Sequence, residues 1–581
     1  MRRLKLAALV LACVYLALPL PASNAQRGAA SAKATVAAGA AAPSASFAAA
    51  RSAAERITAA KLKETLYVVA SDEMAGRDTP SAGLDATAKY IADKLSNLKL
   101  KPAGDKNSYF QRIALRSTEV DREKTQAAMA ERTFKAGEDF LPAGRNSGTA
   151  EGQLVYAGHG WTIKSKNIDA YEGLDVKDKI VVVSGNGTSP PPGVSINDIK
   201  AGTVGDWESP ISYAQKHGAK ALIIVPRNFE RVWRYGLRSI SRVSYQVERF
   251  QEEAEEGDDD EEAEEAQEPS KLLMITPSAA MLDALFAAEQ QGGAQILQAS
   301  TSGQPGRGFQ LSPSKRLRLT LSLKSMAAST QNVVAVLEGR DGALKKEYVA
   351  FGAHYDHVGA NGGGCRPVNG DSICNGADDD GSGTTALLAM AEAFARGPRP
   401  KRSILFVWHA GEEKGLWGSQ YFTEYPTVPL KQIVAQLNID MIGRSKKEGD
   451  TKASNRMLTG PNEIYVIGSK MMSTQLANLS ETVNRSYLNL AYNYHYDEPN
   501  DPERLFYRSD HFNYARKGVP IIFFFDGVHE DYHQPSDSPD KIDYEKMEKV
   551  ARTIFILGSE LANNPRRPVI DRQIPAEQLE R

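Results

Sequence analysis

The C-terminal half of the chain alternates short apolar runs with amphipathic stretches. The apolar runs are Asn332–Leu337, Tyr348–Gly352, Ser403–Trp408, Ile433–Ile439 and Val519–Phe525. Strands that are covered on both faces read as nearly continuous apolar runs, whereas half-exposed strands alternate. A helical pattern over Ser382–Arg396 lies between two of these runs, as in folds whose helices connect parallel strands. The pattern therefore predicts a doubly wound α/β sheet.

A second region, from about residue 141 to 303, has a different pattern. Its β-like runs are Leu154–Ala157, Ile180–Val183 and Ala221–Val225, and a helical pattern over Ser209–His217 precedes the last of them. Short strands with little helix between them predict a smaller α/β or β-rich unit of its own. The acidic stretch Glu252–Glu268 lies inside this region, and its dense like charge predicts a solvated loop.

The N-terminus has the features of an export signal. Arg2, Arg3 and Lys5 precede an apolar stretch over Leu6–Leu20, and the small residues Ser23-Asn24-Ala25 offer a cleavage site. Residues 26–55 are rich in Ala, Ser and Gly and predict a disordered linker. We therefore expect a secreted or periplasmic protein with no stable membrane span after signal removal. A retained anchor and a lipoprotein signal at Cys13 are the alternatives.

Composition and charge narrow the function further. The chain is 41% hydrophobic and 24% charged, as globular proteins are, and its formal charge of -2 argues against a nucleic-acid binder. After signal removal two cysteines remain, Cys365 and Cys374. In an oxidising compartment they are expected to form a disulfide, with two free thiols as the alternative. The oligomeric state stays open.

Side chains that bind metals follow the predicted strands. They lie where carboxyl ends of neighbouring strands meet, which is where ligands gather in open α/β sheets. The candidates are His354, Asp379, Glu412, Glu413, Asp440 and His533. Each would be unremarkable alone, but their recurrence at equivalent positions indicates a site for a divalent metal such as zinc.

The number of these side chains suffices for two ions. Two divalent ions roughly 3.5–4 Å apart can share one carboxylate and one water, a common arrangement in hydrolases. Asp379 suits the bridging position between the pair His354 and Asp440 and the pair Glu413 and His533.

Glu412 is then free to act as the general base. A carboxylate beside a metal ligand is placed to take a proton from the bridging water and pass it to the leaving amine. The alternative reading of Glu412 and Glu413 is a pair of charges at a helix start, before Lys414.

Several segments together resemble peptidase family M28, a family of co-catalytic zinc peptidases. They are GAHYDH, NGADDDGSG, WHAGEEKGLWGS, QLNIDMIGR and YHQPSDSP, in this order between Gly352 and Pro539. The resemblance extends to AGRDTPSAG and ATAKYIAD, within Ala75–Asp93. It implies a doubly wound mixed sheet of the zinc-exopeptidase type, two Zn²⁺ ions and peptide substrates.

The resemblance also implies roles for individual residues. Zinc would be bound by His354, Asp379, Glu413, Asp440 and His533. Glu412 would be the general base, and Asp356 would orient the imidazole of His354. The peptide between Asp379 and Asp380 is expected to be cis. Tyr532 is expected to polarise the tetrahedral intermediate, with Tyr507 as a competitor. His357 and His511 are expected to be structural, with contact to the substrate or support of a metal ligand as the alternative.

The middle region is similar to a protease-associated domain through LVYAGHGW, LDVKDKIVVV and AQKHGAKALIIV. Domains of this type flank the substrate cleft in related enzymes. The predicted organisation is a signal peptide 1–25, a linker 26–55, an N-terminal part of the peptidase domain 56–139, an insert 140–305 with the acidic loop 252–268, the main part of the peptidase domain 306–565 and a C-terminal tail 566–581.

The function implied is an exported di-zinc exopeptidase that releases N-terminal amino acids. A hydroxide bridging the two ions would attack the peptide carbonyl while Glu412 moves the proton. The alternatives are a carboxypeptidase or dipeptidase of the same family, an acyltransferase resembling glutaminyl cyclases with one zinc, and a non-catalytic, receptor-like relative.

Overall fold

The computed structural model describes residues 45–581 except 186, 188, 196–197, 200–204, 258–271, 361–363, 576–578 and 580–581. The predicted signal peptide and most of the predicted linker therefore lie outside the described residues. For residues 45–54 the linker prediction is wrong, because Ala45–Ala54 forms a helix. Phe47, Ala50 and Ala54 recur at helical spacing and are buried in the core. The alanine-rich composition suggested a linker, but the burial of Phe47 makes this stretch a packed helix.

The helices, numbered along the described chain, surround two sheets. They are α1 Ala45–Ala54, α2 Ala59–Val69, α3 Ala82–Asn97, α4 Pro210–Lys216, α5 Phe229–Ser239, α6 Glu248–Gly257, α7 Ala279–Leu285, α8 Gly293–Ser302, α9 Gly381–Arg396, α10 Trp417–Glu424, α11 Ser469–Met472, α12 Thr474–Ser486, α13 His511–Arg516 and α14 Tyr544–Asn563. None of the described helices is long and apolar enough to cross a membrane.

The strands are β1 Lys101–Pro102, β2 Phe110–Val120, β3 Gln126–Met129, β4 Arg132–Lys135, β5 Phe140–Pro142, β6 Gly148–Tyr156, β7 Thr162–Ile163, β8 Ile168–Asp169, β9 Ile180–Ser184, β10 Trp207–Glu208, β11 Ala221–Val225, β12 Ser244–Val247, β13 Leu273–Pro277, β14 Phe309–Gln310, β15 Arg316–Leu321, β16 Leu323–Leu337, β17 Tyr348–His354, β18 Ser403–His409, β19 Ile433–Ile439, β20 Glu463–Ile467, β21 Ala491–Asn493 and β22 Ile521–Phe525.

The main sheet confirms the predicted mixed α/β fold. Its strand order is β12-β2-β16-β18-β17-β19-β22-β20-β21, with β1 beside β16. The central strands β18, β17, β19 and β22 are parallel neighbours. All five predicted apolar runs lie in strands of this sheet. Helices α9 and α14 cover one face and α10 and α13 cover the other, so the central strands are buried on both sides.

A second sheet occupies the middle of the chain. Its order is β4-β3-β15-β6-β9-β11-β13-β5, with β14 beside β6. Strands β6, β9, β11 and β13 run parallel to one another. Helices α7 and α8 cover one face of this sheet. Its strands extend from residue 126 to 321, wider than the predicted insert, and the division into an inserted domain stays a prediction.

One strand from the middle region leaves the second sheet. Strand β12 pairs antiparallel with β2 and forms an edge of the main sheet. Helix α6 follows it directly and contains the first acidic residues, so the prediction of a loop is wrong for residues 252–257. Acidic residues 258–268 lie outside the described part of the chain.

The glycine-rich segment between β17 and α9 is crosslinked. Cys365 and Cys374 form a disulfide, as expected for an oxidising compartment. The bond lies between the positions of His354 and Asp379 in the chain, so it shortens the loop that separates these two side chains.

Candidate metal centre

The predicted metal ligands meet at the carboxyl ends of the central parallel strands. His354 ends β17, the Glu412–Lys414 turn follows β18, and Asp440 follows β19. His533 lies beyond β22, and Asp379 precedes α9. The topology thus brings together side chains that are up to 179 positions apart in the chain, His354 and His533.

Asp379 lies between two histidine–carboxylate pairs. Its Oδ1 is 3.3 Å from Nε2 of His354, which is 3.5 Å from Oδ1 of Asp440. Its Oδ2 is 3.2 Å from Nε2 of His533, which is 3.2 Å from Oε2 of Glu413. One carboxylate therefore offers a separate oxygen to each pair, as a bridging ligand does.

The carboxylates and imidazoles perturb one another strongly. Burial would raise the pKa of Glu413, but the hydrogen bond with His357 and the nearby imidazole of His533 lower it to about 2. Burial would lower the pKa of His354, but Asp440 and Glu412 raise it well above its usual value. Such clusters of buried charge are typical of functional sites.

His357 belongs to the same cluster, although the sequence favoured a structural role and left support of a ligand as the alternative. Its Nδ1 is 2.9 Å from Oε1 of Glu413 and 3.6 Å from Oδ2 of Asp379. The side chain is fully buried, and its Nε2 has no hydrogen-bond partner among the described residues. The signal was its place three positions after His354, on the same strand end.

Asp380 also lies near His354 and Asp440 but has another task. Its Oδ1 accepts hydrogen bonds from the backbone N–H groups of Gly383, at 2.9 Å, and Met441, at 3.1 Å. It therefore caps α9 and fixes the residue after Asp440. The peptide between Asp379 and Asp380 is cis, as expected.

Asp537 holds the loop that carries Asp379. Its Oδ2 accepts the backbone N–H of Asp378 at 3.0 Å and that of Asp379 at 3.2 Å. Asp378 in turn accepts the N–H of Gly443 at 2.7 Å. These bonds tie the loop that carries Asp379 to Asp537 and to the segment after β19.

Arg77 is a positioning residue that the sequence analysis missed. It is fully buried, and its guanidinium donates hydrogen bonds to the backbone oxygens of Tyr355 at 2.9 Å, Asn375 at 2.6 Å, Gly376 at 2.8 Å and Val69 at 2.9 Å. One cation thus joins the end of β17 to the loop before Asp379. The available signal was its place in AGRDTPSAG.

Glu412 faces the same cluster from the turn after β18. Burial and the nearby carboxylates Glu413 and Asp440 raise its pKa well above the usual value, against the opposing effect of His354. A carboxylate with a raised pKa is suited to accept and return a proton near neutral pH.

Asp356 contacts both His354 and the turn that holds Glu412. Nδ1 of His354 is 3.2 Å from the backbone oxygen of Asp356 and 3.6 Å from its Oδ1. Oδ1 also accepts the backbone N–H of Glu412 at 3.2 Å, and Oδ2 accepts the hydroxyl of Thr79 at 3.0 Å. Nδ1 of His354 therefore donates to the backbone oxygen of Asp356, while the carboxylate of Asp356 lies 3.6 Å from the ring.

Comparison with known proteins identifies the part of the chain that carries these residues. Residues 332–557 match the model of peptidase family M28. This part of the chain belongs to peptidase family M28. All five predicted ligands and Glu412 lie within the M28 domain.

Curated relatives agree over a limited span. A probable leucine aminopeptidase of Arthroderma benhamiae is 28% identical over 240 residues, 40% of this chain and 57% of the relative. An aminopeptidase of Bacillus subtilis is 27% identical over 268 residues, 44% of this chain and 50% of the relative. The chain thus spans about half the length of these relatives. A solved aminopeptidase of Aneurinibacillus sp. strain AM-1 has a TM-score of 0.46 at 17% identity and covers 90% of this chain and 98% of its own.

A cavity adjoins the ligand cluster of the M28 domain. His354, Asp379, Glu412 and Asp440 form its polar wall. The remaining wall is mostly apolar, with Arg508 at one side, and consists of Met441, Leu505, Arg508, Phe523, Phe525, Val528 and Tyr532. Its volume is about 40 Å³, so it admits a small group rather than a whole substrate side chain.

The two candidate tyrosines differ in their access to this cavity. Tyr532 lines it and stacks on His533, with ring centroids 3.9 Å apart. Burial and the carboxylates of Asp379 and Glu413 raise the pKa of Tyr532 well above its usual value, so its hydroxyl stays protonated and able to donate. The ring of Tyr507 is packed among Phe506 and Phe512, away from the cavity wall.

The donor set of the M28 domain fits a divalent ion such as zinc. Nε2 of His533 and Oδ2 of Asp379 face each other without hydrogen-bond geometry and have no other hydrogen-bond partner among the described residues. Imidazole nitrogen and carboxylate oxygen are ligands that zinc accepts, usually four at a time. His354 and Asp440 on one side of Asp379, and Glu413 and His533 on the other, would hold the ions.

Proposed function

We propose that the chain is an exported di-zinc exopeptidase that releases N-terminal amino acids from peptides. The observation that carries the proposal is the position of Asp379, which offers one oxygen to each of two histidine–carboxylate pairs. Similar proteins support the same activity: they include two aminopeptidases and a probable zinc metalloprotease of Pyrenophora teres.

The residues divide the work of hydrolysis among them. When bound, zinc polarises a carbonyl and lowers the pKa of a water molecule. Glu412 accepts a proton from the attacking water and returns it to the leaving amine, because its raised pKa suits both steps. Tyr532 donates a hydrogen bond toward the oxygen on which charge develops.

A dipeptidase or carboxypeptidase activity is the second candidate, favoured by Arg508. Its side chain lines the cavity beside the apolar wall, where a guanidinium can pair with a substrate carboxylate. A free C-terminus would then bind near the cluster, and short unblocked peptides would be preferred. Since both activities need the same metal cluster, only substrates can separate them.

One substrate panel tests the proposal and its alternatives. It contains aminoacyl-arylamides, dipeptides with free or amidated C-termini, and a peptide with N-terminal glutamine, each with and without a chelator. We expect chelator-sensitive release of N-terminal residues that zinc restores. Hydrolysis only of peptides with a free C-terminus would favour the second candidate, and cyclisation of glutamine would favour an acyltransferase. A purified protein without zinc and without zinc-restored hydrolysis would overturn all three.

A further inference from the structure

A segment from the middle region crosses to the main sheet. Strand β12 pairs antiparallel with Leu115–Thr118 of β2, and helix α6 continues directly from it. Neither element contributes a residue to the cavity wall. Residues 244–247 are therefore part of the main sheet by their hydrogen bonds, although their neighbours in sequence build the second sheet.

The segment packs on helix α10 through three contacts. The rings of Phe250 and Tyr421 lie 6.1 Å apart, and the guanidinium of Arg249 lies 3.5 Å from the ring centre of Tyr425. The hydroxyl of Tyr425 donates a hydrogen bond to the carboxylate of Glu253. Apolar, aromatic and charged contacts thus fall on the same two tyrosines, which are one helical turn apart.

Beneath these contacts lies a small apolar cluster. Val247 of β12 is buried with Ile113 and Leu115 of β2, and Trp417 and Tyr421 of α10 pack against them. The first residue of α10 is therefore held by the same cluster that holds the segment. A shift of β12 would be transmitted to Trp417 through direct contact, because packed side chains leave little free space.

Helix α10 is joined to the turn that carries Glu412 by two backbone hydrogen bonds. The backbone N–H of Trp417 donates to the oxygen of Gly411 at 2.9 Å, and that of Leu416 donates to the oxygen of Glu412 at 2.9 Å. Gly411 has a φ of 72° and leaves room for the side chain of Trp417. Glu412 thus lies inside a closed turn whose far end is the start of α10.

We propose that the segment 244–257 is a brace that positions the Glu412–Glu413 turn, with Phe250, Arg249 and Glu253 as positioning residues. The proposal rests on the proposed function, since it takes Glu412 to be the base. A misplacement of about 1 Å can cost on the order of 100-fold in rate, so a partial loosening of the turn should cost about tenfold in kcat.

The main test is Phe250→Ala, compared with Glu252→Ala on the exposed side of the same helix. We expect kcat on the best arylamide substrate to fall about tenfold, with KM and zinc content unchanged, because the turn moves while the cavity stays intact. Hydrogen–deuterium exchange over residues 411–424 should become faster. Glu252→Ala should match the unchanged protein in each measurement, and Phe250→Leu should recover part of the loss.

A milder variant covers the case in which Phe250→Ala does not fold. Tyr425→Phe keeps the ring beneath Arg249 and removes the hydrogen bond to Glu253, so we expect a twofold to fivefold loss of kcat, about what one hydrogen bond contributes. Equal kcat in a folded Phe250→Ala variant would overturn the proposal, whatever the exchange shows. With Tyr425→Phe alone, unchanged kcat and unchanged exchange would overturn it.

The experiment separates the brace from the proposed function. If the unchanged protein lacks zinc-dependent hydrolysis, the proposed function fails, but the exchange over residues 411–424 still reports on the brace. In that case equal exchange in Phe250→Ala and Glu252→Ala would overturn it.

Discussion

The main sheet and the second sheet each have an edge where parallel strands end, but the polar side chains at the two edges differ. In each, parallel strands direct their carboxyl ends to one side, where topology leaves room for a ligand. At the main sheet this edge holds buried imidazoles and carboxylates that face one another. At the second sheet it holds His159, Ser184 and Arg227 around a cavity of about 220 Å³. Topology therefore provides the space, and the side chains decide what it can do.

The difference lies in how the polar groups are satisfied. At the second sheet, Ser184 is hydrogen-bonded to Tyr156 at 2.9 Å and His159 accepts the backbone N–H of Trp161 at 3.1 Å. Arg227 is exposed to solvent. At the main sheet, His533 and Asp379 are within 3.2 Å but lack such bonds. Buried polar atoms without a hydrogen-bond partner among the described residues therefore set the edge of the main sheet apart from that of the second sheet.

The largest effect is expected from Glu412→Gln. The amide cannot accept a proton, so kcat should fall about 10²–10⁴-fold, the usual contribution of a general base. Zinc content, measured by elemental analysis, should stay the same. Ser184→Ala at the edge of the second sheet should leave kcat unchanged. Full turnover in a zinc-loaded Glu412→Gln variant would remove Glu412 from the mechanism and weaken the contrast between the two edges.

The next effect concerns the arginines near the two edges. Arg77→Met leaves four backbone oxygens without their donor and should destabilise the protein by about 3–5 kcal/mol, as removal of a buried charged partner does. Arg227→Met at the second sheet should change the free energy of unfolding by less than about 0.5 kcal/mol, because the side chain is exposed. Urea unfolding of both variants checks this, and equal losses would contradict the comparison.

A smaller effect is expected from Asp356→Asn. Loss of the negative charge behind His354 and the Glu412 turn should weaken zinc binding about 10–100-fold, as changes behind a metal ligand do. Competition with a chromogenic chelator measures the affinity directly. Asp175→Asn, an exposed carboxylate of the middle region, is the control and should bind zinc as the unchanged protein does. Unaltered affinity in Asp356→Asn would mean that the backbone oxygen of Asp356 suffices to orient His354.

The smallest effect is a pH dependence of stability from His511. Burial lowers the pKa of this histidine to about 3, and its ring stacks on Phe523 with centroids 4.4 Å apart. The unfolded chain takes up a proton below about pH 6.5 and the folded one does not, so its stability contribution is present above that pH and is lost as pH falls toward 3. The loss is about 1.4 kcal/mol per pH unit at most.

The stability of His511→Phe relative to the unchanged protein should therefore increase as the pH falls. Urea unfolding at about pH 7.5, 6.5 and 5.5 in the presence of a chelator measures this. The free energy of unfolding of the variant minus that of the unchanged protein should become more positive as the pH falls. His159→Phe should show a smaller shift of the same sign, since burial also lowers the pKa of His159 but that side chain is only half-buried. Parallel pH curves for His511→Phe and the unchanged protein would contradict the prediction.

The sequence predicted the central strands and the ligand cluster for one physical reason. Buried parallel strands leave a local signal, their apolar runs, and the residue that follows each run must lie at the carboxyl edge. His354, Glu413, Asp440 and His533 were found in this way and Asp379 from its place before the predicted helix. The structure brings all five together. The place of a residue relative to the nearest predicted strand or helix was enough to predict where it lies, because this rule uses only the neighbouring sequence.

Other features have no such local signal. Arg77 binds backbone oxygens, which every sequence offers, so its partners cannot be read from residue types. Strand β12 pairs with β2, and the paired residues Ser244 and Thr118 are 126 positions apart in the chain. Pairing of an edge strand over that distance leaves no periodic pattern in the sequence. Helix α1 was hidden in an alanine-rich stretch whose composition suggested a linker. Long-range strand pairing and contacts with buried backbone groups could therefore not be predicted from the sequence.

The membership of β12 in the main sheet sets a boundary for protein engineering. Excising the whole middle region would remove β12. The backbone groups of Leu115–Thr118 in β2 that face β12 would then be unpaired. An uncovered strand edge is a template on which other chains add, leading to aggregation. A minimal peptidase would therefore need to keep residues 244–257, or a replacement strand, even if every part of the second sheet were discarded.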